Sequence, residues 1–359
     1  MVISRIKLTN FRNLKSFSVD PGTQLNLLQG GNGSGKTGVL EAICLMARGH
    51  SFRAGPLGSL LNIESEVMAV HLDVLDAQGT SLRLSGIKRG SEALLIKIDG
   101  VNQKRGSVAS RLLPVQVVTP DESNLIFSGP SIRRSFLDWG LFHVEPGYLE
   151  LARKYKKTLR QRNAWIRDGN RGADPWLEDL ATLAARINGK RKSYLERING
   201  LLSKDLGRFG VLSRVGMEYY GGGLGVDAND ALEGLRDRTF HDHQAGATGL
   251  GPHRGDVKIT LNGAPAKTYL SRGQAKLVSV LFALSQSKLL LNDRSMKSIL
   301  LIDDISAELD EDNLLQCMEL ISSAKMQVFV TSSSSLFSAI VERPFEECKT
   351  FHVKHGQLI

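Results

Sequence analysis

Two short runs between residues 3 and 28 set the opening pattern: IKL, where polar and apolar positions alternate, and LNLL, which runs directly into glycines. They predict two strands. In VLEAICLMA the residues Val39, Ile43 and Met46 recur at helical spacing, so a helix is predicted from Lys36 to about Arg48, after a glycine-rich turn. From Val67 to Gln103, the alternating runs MAVHLDVL, SLRLSGI and ALLIKID are divided by AQGT, KRGS and DGVN, which are turn signals. An antiparallel meander packed beside the first unit is expected. After VQVV and Thr119-Pro120-Asp121 the pattern becomes helical from Ser131 to about Leu206, with Trp139, Trp165 and Trp176 as expected packing anchors. No sustained heptads occur, which disfavours long coiled-coil arms. A loop at Gly221-Gly222-Gly223 separates this stretch from a C-terminal third in which the strands ILLID and QVFVT bracket a helix. The predicted class is α/β, with the two ends of the chain joined in one head (1–125 and 245–359) and a basic, mainly helical domain (126–244) inserted between them.

Composition narrows the setting. Of 359 residues, 42% are hydrophobic, enough for one large core or two smaller ones. No segment approaches the roughly 18 uninterrupted apolar residues of a membrane span, and MVISRIKLTNFRN lacks the apolar stretch of a signal peptide. A soluble, cytoplasmic protein with no membrane partner is expected. Cys44, Cys317 and Cys348 are too few and too far apart for a disulfide framework or a zinc site and read as reduced thiols. The net charge is +9, and between Leu151 and Gly200 thirteen Lys and Arg face five acids. Nearly the whole excess sits in one segment, as in a phosphate-binding surface, the alternative being a solvated helix face.

Gly30-Gly31-Asn32-Gly33-Ser34-Gly35-Lys36-Thr37 fits the phosphate-binding pattern G-x-x-x-x-G-K-[ST] in full. The glycines let successive backbone N–H groups converge, the helix start adds positive potential, Lys36 reaches the β and γ phosphates of ATP, and the Thr37 hydroxyl ligates Mg2+. Ile299 to Asp304 is an apolar strand ending in two carboxylates. Alone it could simply end at solvent; paired with the loop, it delivers Asp303 to the magnesium and Asp304 to the attacking water. Leu270-Ser271-Arg272-Gly273-Gln274 precedes an apolar helix, and a serine followed by glycine at a helix start is either an anion site or an ordinary cap. His241-Asp242-His243 is open between a metal site and a solvated loop. Arg133 and Arg134 are open between binding phosphate and pairing with Asp138.

LSRGQ resembles the LSGGQ signature of the ABC superfamily, which there completes the ATP site of a neighbouring subunit, and Ser306 to Asp310 resembles the loop that follows the strand carboxylates. The implied fold is an ABC-type P-loop ATPase head. FRNL at 11–14, SFR at 51–53, Thr119-Pro120-Asp121 through Gly129-Pro130, the run from Arg133 to Asp138, GPHR at 251–254, SRGQ, IDD and ELD occur in the order seen in RecF-like recombination and repair proteins. This resemblance spans essentially the whole chain. It implies an ATP-dependent homodimer that binds DNA at duplex to single-strand junctions and gaps, works with a RecR-like mediator in placing recombinase, and hydrolyses ATP slowly as a timer. Arg53 would contact nucleotide on this resemblance. Gly255 stands where an acid usually follows GPHR, leaving Asp256 to take that role, and Thr331-Ser332 stands where transporters carry a switch histidine. A transporter ATPase subunit and an SMC-type structural clamp are the competing readings, set aside for the basic insertion and the missing heptads.

Overall fold

The computed structural model describes residues 1–53, 55–76, 78–103, 107–119, 125–170, 172–305, 309–334 and 337–359. Pro120-Asp121, Arg171 and Ser306 to Glu308 therefore lie outside the described residues. The chain forms two compact units, one from Met1–Asn124 with Ser271–Ile359, the other from Leu125–Leu270.

The first unit opens with strands β1 (Val2–Phe11), β2 (Leu14–Val19) and β3 (Leu25–Gln29), then helix α1 (Lys36–Arg48). The sequence pattern predicts only two strands here. Arg12, with a φ of 54°, turns the chain within FRNL so that β1 and β2 pair antiparallel. Next come β4 (Val67–Leu75), β5 (Ser81–Arg89), β6 (Leu95–Ile98), β7 (Val101–Asn102), the short α2 (Ser107–Leu112) and β8 (Val115–Val118). The expected meander exists, but it joins the first hairpin in one antiparallel sheet of order β2-β1-β4-β5-β6-β7.

The second unit holds helices α3 (Pro130–Val144), α4 (Tyr148–Arg167) and α5 (Leu177–Leu206), strand β9 (Val215–Tyr220), helix α6 (Ala228–Ala245), and strands β10 (Asp256–Leu261) and β11 (Ala264–Pro265). The three strands form a small antiparallel sheet in the order β11-β10-β9. That pairing corrects the expected boundary: residues from 245 to 270 belong to the helical unit, because β10 is hydrogen-bonded along its length to β9. The triple glycine is no boundary either. A side chain on Gly222 would stand 2.0 Å from the Gly251 carbonyl, and Gly251 N–H donates to Gly222 O at 2.9 Å, so this loop is interior packing. The three tryptophans are only partly buried; Tyr148, Tyr155 and Tyr194 take the core positions expected of them.

The chain then returns to the first unit with α7 (Arg272–Arg294), β12 (Ile299–Ile302), α8 (Glu311–Ser323), β13 (Gln327–Ser332), α9 (Ser338–Glu342), β14 (Cys348–Lys354) and β15 (Gln357–Leu358). They build a second sheet of order β15-β14-β3-β13-β12-β8, in which β14, β3, β13, β12 and β8 run parallel. The strands β3, β12 and β13 are buried at every position, as parallel strands covered on both faces must be. Helix α1 contributes to one core with residues of both sheets. Its apolar residues are consequently buried all round, not on one face as Val39, Ile43 and Met46 alone suggest. No helix among the described residues is long and apolar enough to cross a membrane.

Candidate functional site

Strand β3 ends at Gln29, and the next residues form the predicted loop. Gly30 has a φ of 154° and a side chain there would stand 2.1 Å from the Val353 carbonyl; Gly35 has a φ of 115° and a side chain there would meet Leu14 Cδ2 at 2.6 Å. Only glycine fits either place. Beside Gly31 and Gly33, by contrast, a side chain would meet nothing within 4 Å. The N–H groups of Asn32, Gly33 and Gly35 donate to nothing among the described residues. Ser34 Oγ is buried without a hydrogen-bond partner. Unspent donors converging ahead of a helix N-terminus fit an anionic phosphate chain. Lys36 is 8% exposed, and its ammonium donates to Gly30 O at 2.7 Å and Gly31 O at 2.9 Å. Burial pulls it below the ordinary lysine value, while Asp304 and Asp303 push the other way.

At the ends of the neighbouring strands the two carboxylates take different positions. Thr37 Oγ1 donates to Asp303 Oδ1 at 3.0 Å, and Thr331 Oγ1 donates to the same oxygen at 2.6 Å. Hydroxyl and carboxylate oxygens on adjacent elements are the hard donors that a magnesium ion takes. Asp304 has a φ of 48°; its N–H donates to Thr331 Oγ1 at 2.8 Å, and its carbonyl accepts from the ammonium of Lys276. The structure thus brings Lys36, Thr37, Asp303 and Asp304 together, and places Thr331 among them as a clamp on both carboxylate residues.

A cavity of about 500 Å³ opens beside the loop, with Arg12, Asn13, Lys36, Arg53, Asn62 and Ile63 among its walls. Arg53, implied by the resemblance as a nucleotide contact, lies in this wall. Sequence reasoning passes over Arg12. Its guanidinium is bidentate on Glu41, at 3.0 and 2.7 Å, and Glu41 is fully buried. The signal for this pair in the sequence is a lone acid inside the apolar run of α1.

Ser271 caps α7. Gln274 N–H donates to Ser271 Oγ at 3.2 Å, and Ser271 N–H donates to Gln274 Oε1 at 3.0 Å, a reciprocal capping box. Arg272 is exposed, Gly273 is buried, and Ser271 and Gln274 make no side-chain hydrogen bond to the phosphate loop of their own chain. Within the first unit it is Lys276, further along α7, that reaches the site.

In the second unit the basic residues divide into two kinds. Tyr148, Leu151, Tyr155, Thr158, Arg162 and Ile166 form the buried stripe of α4. Arg153, Lys154, Lys156, Lys157 and Arg160 are exposed on the opposite side. At about 100° per residue these five spread over an arc of roughly 160°, centred away from the stripe. Arg162 and Arg191 are structural instead. Arg162 is fully buried and pairs with Asp174 and Asp242, both at 2.7 Å. Arg191 pairs with Asp138 at 2.8 Å and donates to Pro252 O, also at 2.8 Å.

The same pairs settle the open readings. Asp242 is spent on Arg162, and His243 packs on Trp165 with ring centroids 5.4 Å apart. No group of three metal-ligating side chains occurs among the described residues. Arg133 pairs not with Asp138 but with Asp256, at 2.7 Å, and Arg134 donates to Gly255 O at 2.7 Å. A side chain at Gly255 would lie 2.9 Å from Tyr220 O, which explains the glycine where an acid was expected. His253 of GPHR bonds Tyr155 Oη through Nδ1 at 2.6 Å, so this motif anchors α4 from below.

A family model described as the RecF/RecN/SMC N terminal domain matches residues 2–354. The chain is 34% identical to the DNA replication and repair protein RecF of Pseudomonas aeruginosa (strain LESB58), covering 100% of this chain and 97% of that protein. It is 35% identical to the protein of the same name from Pseudomonas fluorescens, covering 100% and 98%. Among solved structures it resembles the recombination mediator protein RecF-ATP of the RecFOR pathway, with a TM-score of 0.85, 27% identity, and 100% and 98% coverage. An Smc head bound to the C-winged helix domain of ScpA shares the fold, with a TM-score of 0.63 at 14% identity over 100% of this chain and 97% of that one.

Proposed function

The chain belongs to the RecF family of DNA replication and repair proteins, and from that premise we propose that it is an ATP-switched DNA-binding protein of recombinational repair. The observation that carries the reading is the joint placement of Lys36, Thr37, Asp303 and Asp304 around a loop with unspent amide donors. Lys36 and the loop amides hold the β and γ phosphates. Thr37 and Asp303 hold magnesium, which when bound neutralises charge developing on the phosphates. Asp304 orients the water, and Thr331 ties the Asp303 carboxylate to the Asp304 backbone. A relative solved as RecF-ATP supports ATP as the nucleotide.

Ser271, Arg272, Gly273 and Gln274 are read as the contact made to the ATP of a second copy. The capping box takes up the N–H groups of Ser271 and Gln274, and those of Arg272 and Gly273 at the helix start are the donors assigned to the anion. The ATP-bound homodimer is the state that holds DNA, and slow hydrolysis releases it. The exposed basic face of α4 is the DNA contact, through phosphates and without base reading. A RecR-like mediator is the protein partner and the cytoplasm the setting, in keeping with a relative named for the RecFOR pathway.

The deciding experiment measures duplex and gapped DNA binding with ATP, with ADP and with no nucleotide. Tight binding is expected with ATP alone. Equal affinity in all three states removes the switch and leaves a constitutive DNA binder.

A further inference from the structure

Asp304 holds a left-handed backbone, with a φ of 48°. Residues with side chains adopt this conformation at a cost and keep it only where their surroundings fix it. Thr331 and Lys276 are among the groups that do so here. Thr331 Oγ1 takes the N–H of Asp304 at 2.8 Å, and the ammonium of Lys276 takes its carbonyl. Thr331 belongs to β13, inside the parallel sheet and packed on every side. Lys276 belongs to α7, on the turn that follows the Ser271 cap, and is 2% exposed. A lysine so deeply buried forfeits its hydration, which an apolar residue of similar length would not. Its position is informative because Lys276 lies in the same unbroken helix as the Ser271–Gln274 end, one turn on from the cap. Thr331 is thus the fixed side of the clamp on Asp304, and Lys276 the side tied to the signature end of the helix.

We propose that Lys276 is a positioning residue for Asp304, holding its carbonyl so that the carboxylate points at the water only when the Ser271–Gln274 end of α7 is in place. This rests on Asp304 orienting the water and on Ser271–Gln274 meeting the partner's nucleotide. Through Lys276, occupancy of one nucleotide site sets the hydrolytic geometry of the other site of the dimer. The Lys276 ammonium meets the backbone carbonyl of Asp304. It acts through the backbone of Asp304, so its loss lowers kcat and leaves ATP affinity alone.

The test uses the full-length chain and four variants: Lys276→Met, Lys276→Arg, Asp304→Asn, and Lys276→Met combined with Asp304→Asn. ATP affinity, ATP-dependent dimerisation by sedimentation, and single-turnover hydrolysis are measured for each. Lys276→Met is expected to bind ATP and dimerise as wild type does, with hydrolysis at least ten-fold slower; Lys276→Arg, which restores a donor, recovers part of the loss. In the Asp304→Asn background, adding Lys276→Met is expected to change nothing further, because both act on one group. Unchanged hydrolysis in Lys276→Met beside a slow Asp304→Asn overturns the positioning role and leaves the reading of Asp304 standing. Wild-type hydrolysis in Asp304→Asn overturns both. Independent, multiplying losses in the double variant reduce Lys276 to a structural residue. Should Lys276→Met fail to fold, Lys276→Gln, with a donor too short to reach, carries the same expectation, and full turnover in it overturns the proposal.

Discussion

Three polar side chains, two buried and one half-buried, each make a separate prediction. Among the described residues Lys36 hydrogen-bonds to carbonyls of its own loop, so Lys36→Ala is expected to leave the fold intact while removing a charge-assisted hydrogen bond to phosphate. Such bonds contribute about 1.5–3 kcal/mol, so ATP affinity should fall roughly ten- to hundred-fold by calorimetry with little change in melting temperature. Arg162 is the opposite case. Removing it strands Asp174 and Asp242 without their cation, and Arg162→Ala should cost about 3–5 kcal/mol of stability in the second unit. A melting temperature within two or three degrees of wild type contradicts that. His253 supplies a pH dependence. Burial, with Arg254 and Arg134 nearby, holds it below its ordinary value of 6.5. The unfolded chain therefore takes up the proton first, and the stability present above about pH 6.5 is lost as pH falls toward the depressed value. Melting at pH 7.5 and 5.5 should show a steeper acid loss in wild type than in His253→Gln. Residue type alone does not distinguish Arg162 from Lys154, since both lie in one basic run. Spacing does carry the difference, because Arg162 falls on the stripe with Tyr148, Leu151, Tyr155, Thr158 and Ile166, and its partner Asp242 lies on α6.

For whole elements, α4 is the one whose function is most directly testable. Lys154, Lys156, Lys157 and Arg160 share the solvent side, so reversing all four to Glu should weaken DNA binding alike for every sequence. The log-log salt plot should become shallower by roughly 0.9 for each phosphate that is no longer neutralised, with ATP binding unchanged. The same slope and affinity as wild type would remove α4 from the DNA path. At the signature helix, Ser271→Arg should leave ATP binding by the single chain intact and abolish ATP-dependent dimerisation, read by sedimentation; a variant that still dimerises with ATP excludes contact across two copies. The phosphate loop and the strand with Asp303 and Asp304 are legible in the sequence because each motif sits at a junction of elements that the hydrophobic pattern also marks. The role of Thr331 is not legible there, since its clamp on Asp303 and Asp304 exists only once β13 lies beside β12. The tryptophans mislead for a related reason: size suggests core, but the tyrosines combine bulk with hydroxyls that meet partners such as Asp138 and His253.

For the molecule as a whole, contiguity in sequence separates the two units. Residues 125–270 fold upon themselves within one stretch, so this segment expressed alone should give helical circular dichroism and a cooperative melt. Residues 1–124 alone should not, because β3 finds both its neighbours, β13 and β14, near the far end of the chain. The expected boundary at 244 fails because short β strands with polar faces, such as β9, carry too weak a pattern to announce their partners. Strand β14 also holds the phosphate loop: the Val353 carbonyl sits against Gly30, and Gly356 N–H donates to Ser34 O at 2.9 Å. In the order of synthesis, therefore, Gly30 to Thr37 come long before β14, yet the cradle they form waits for that strand. Closing so long a loop is slow and comes late. ATP cannot guide the early chain; it rewards only a finished first unit, and its capture marks the moment at which a newly made molecule becomes competent.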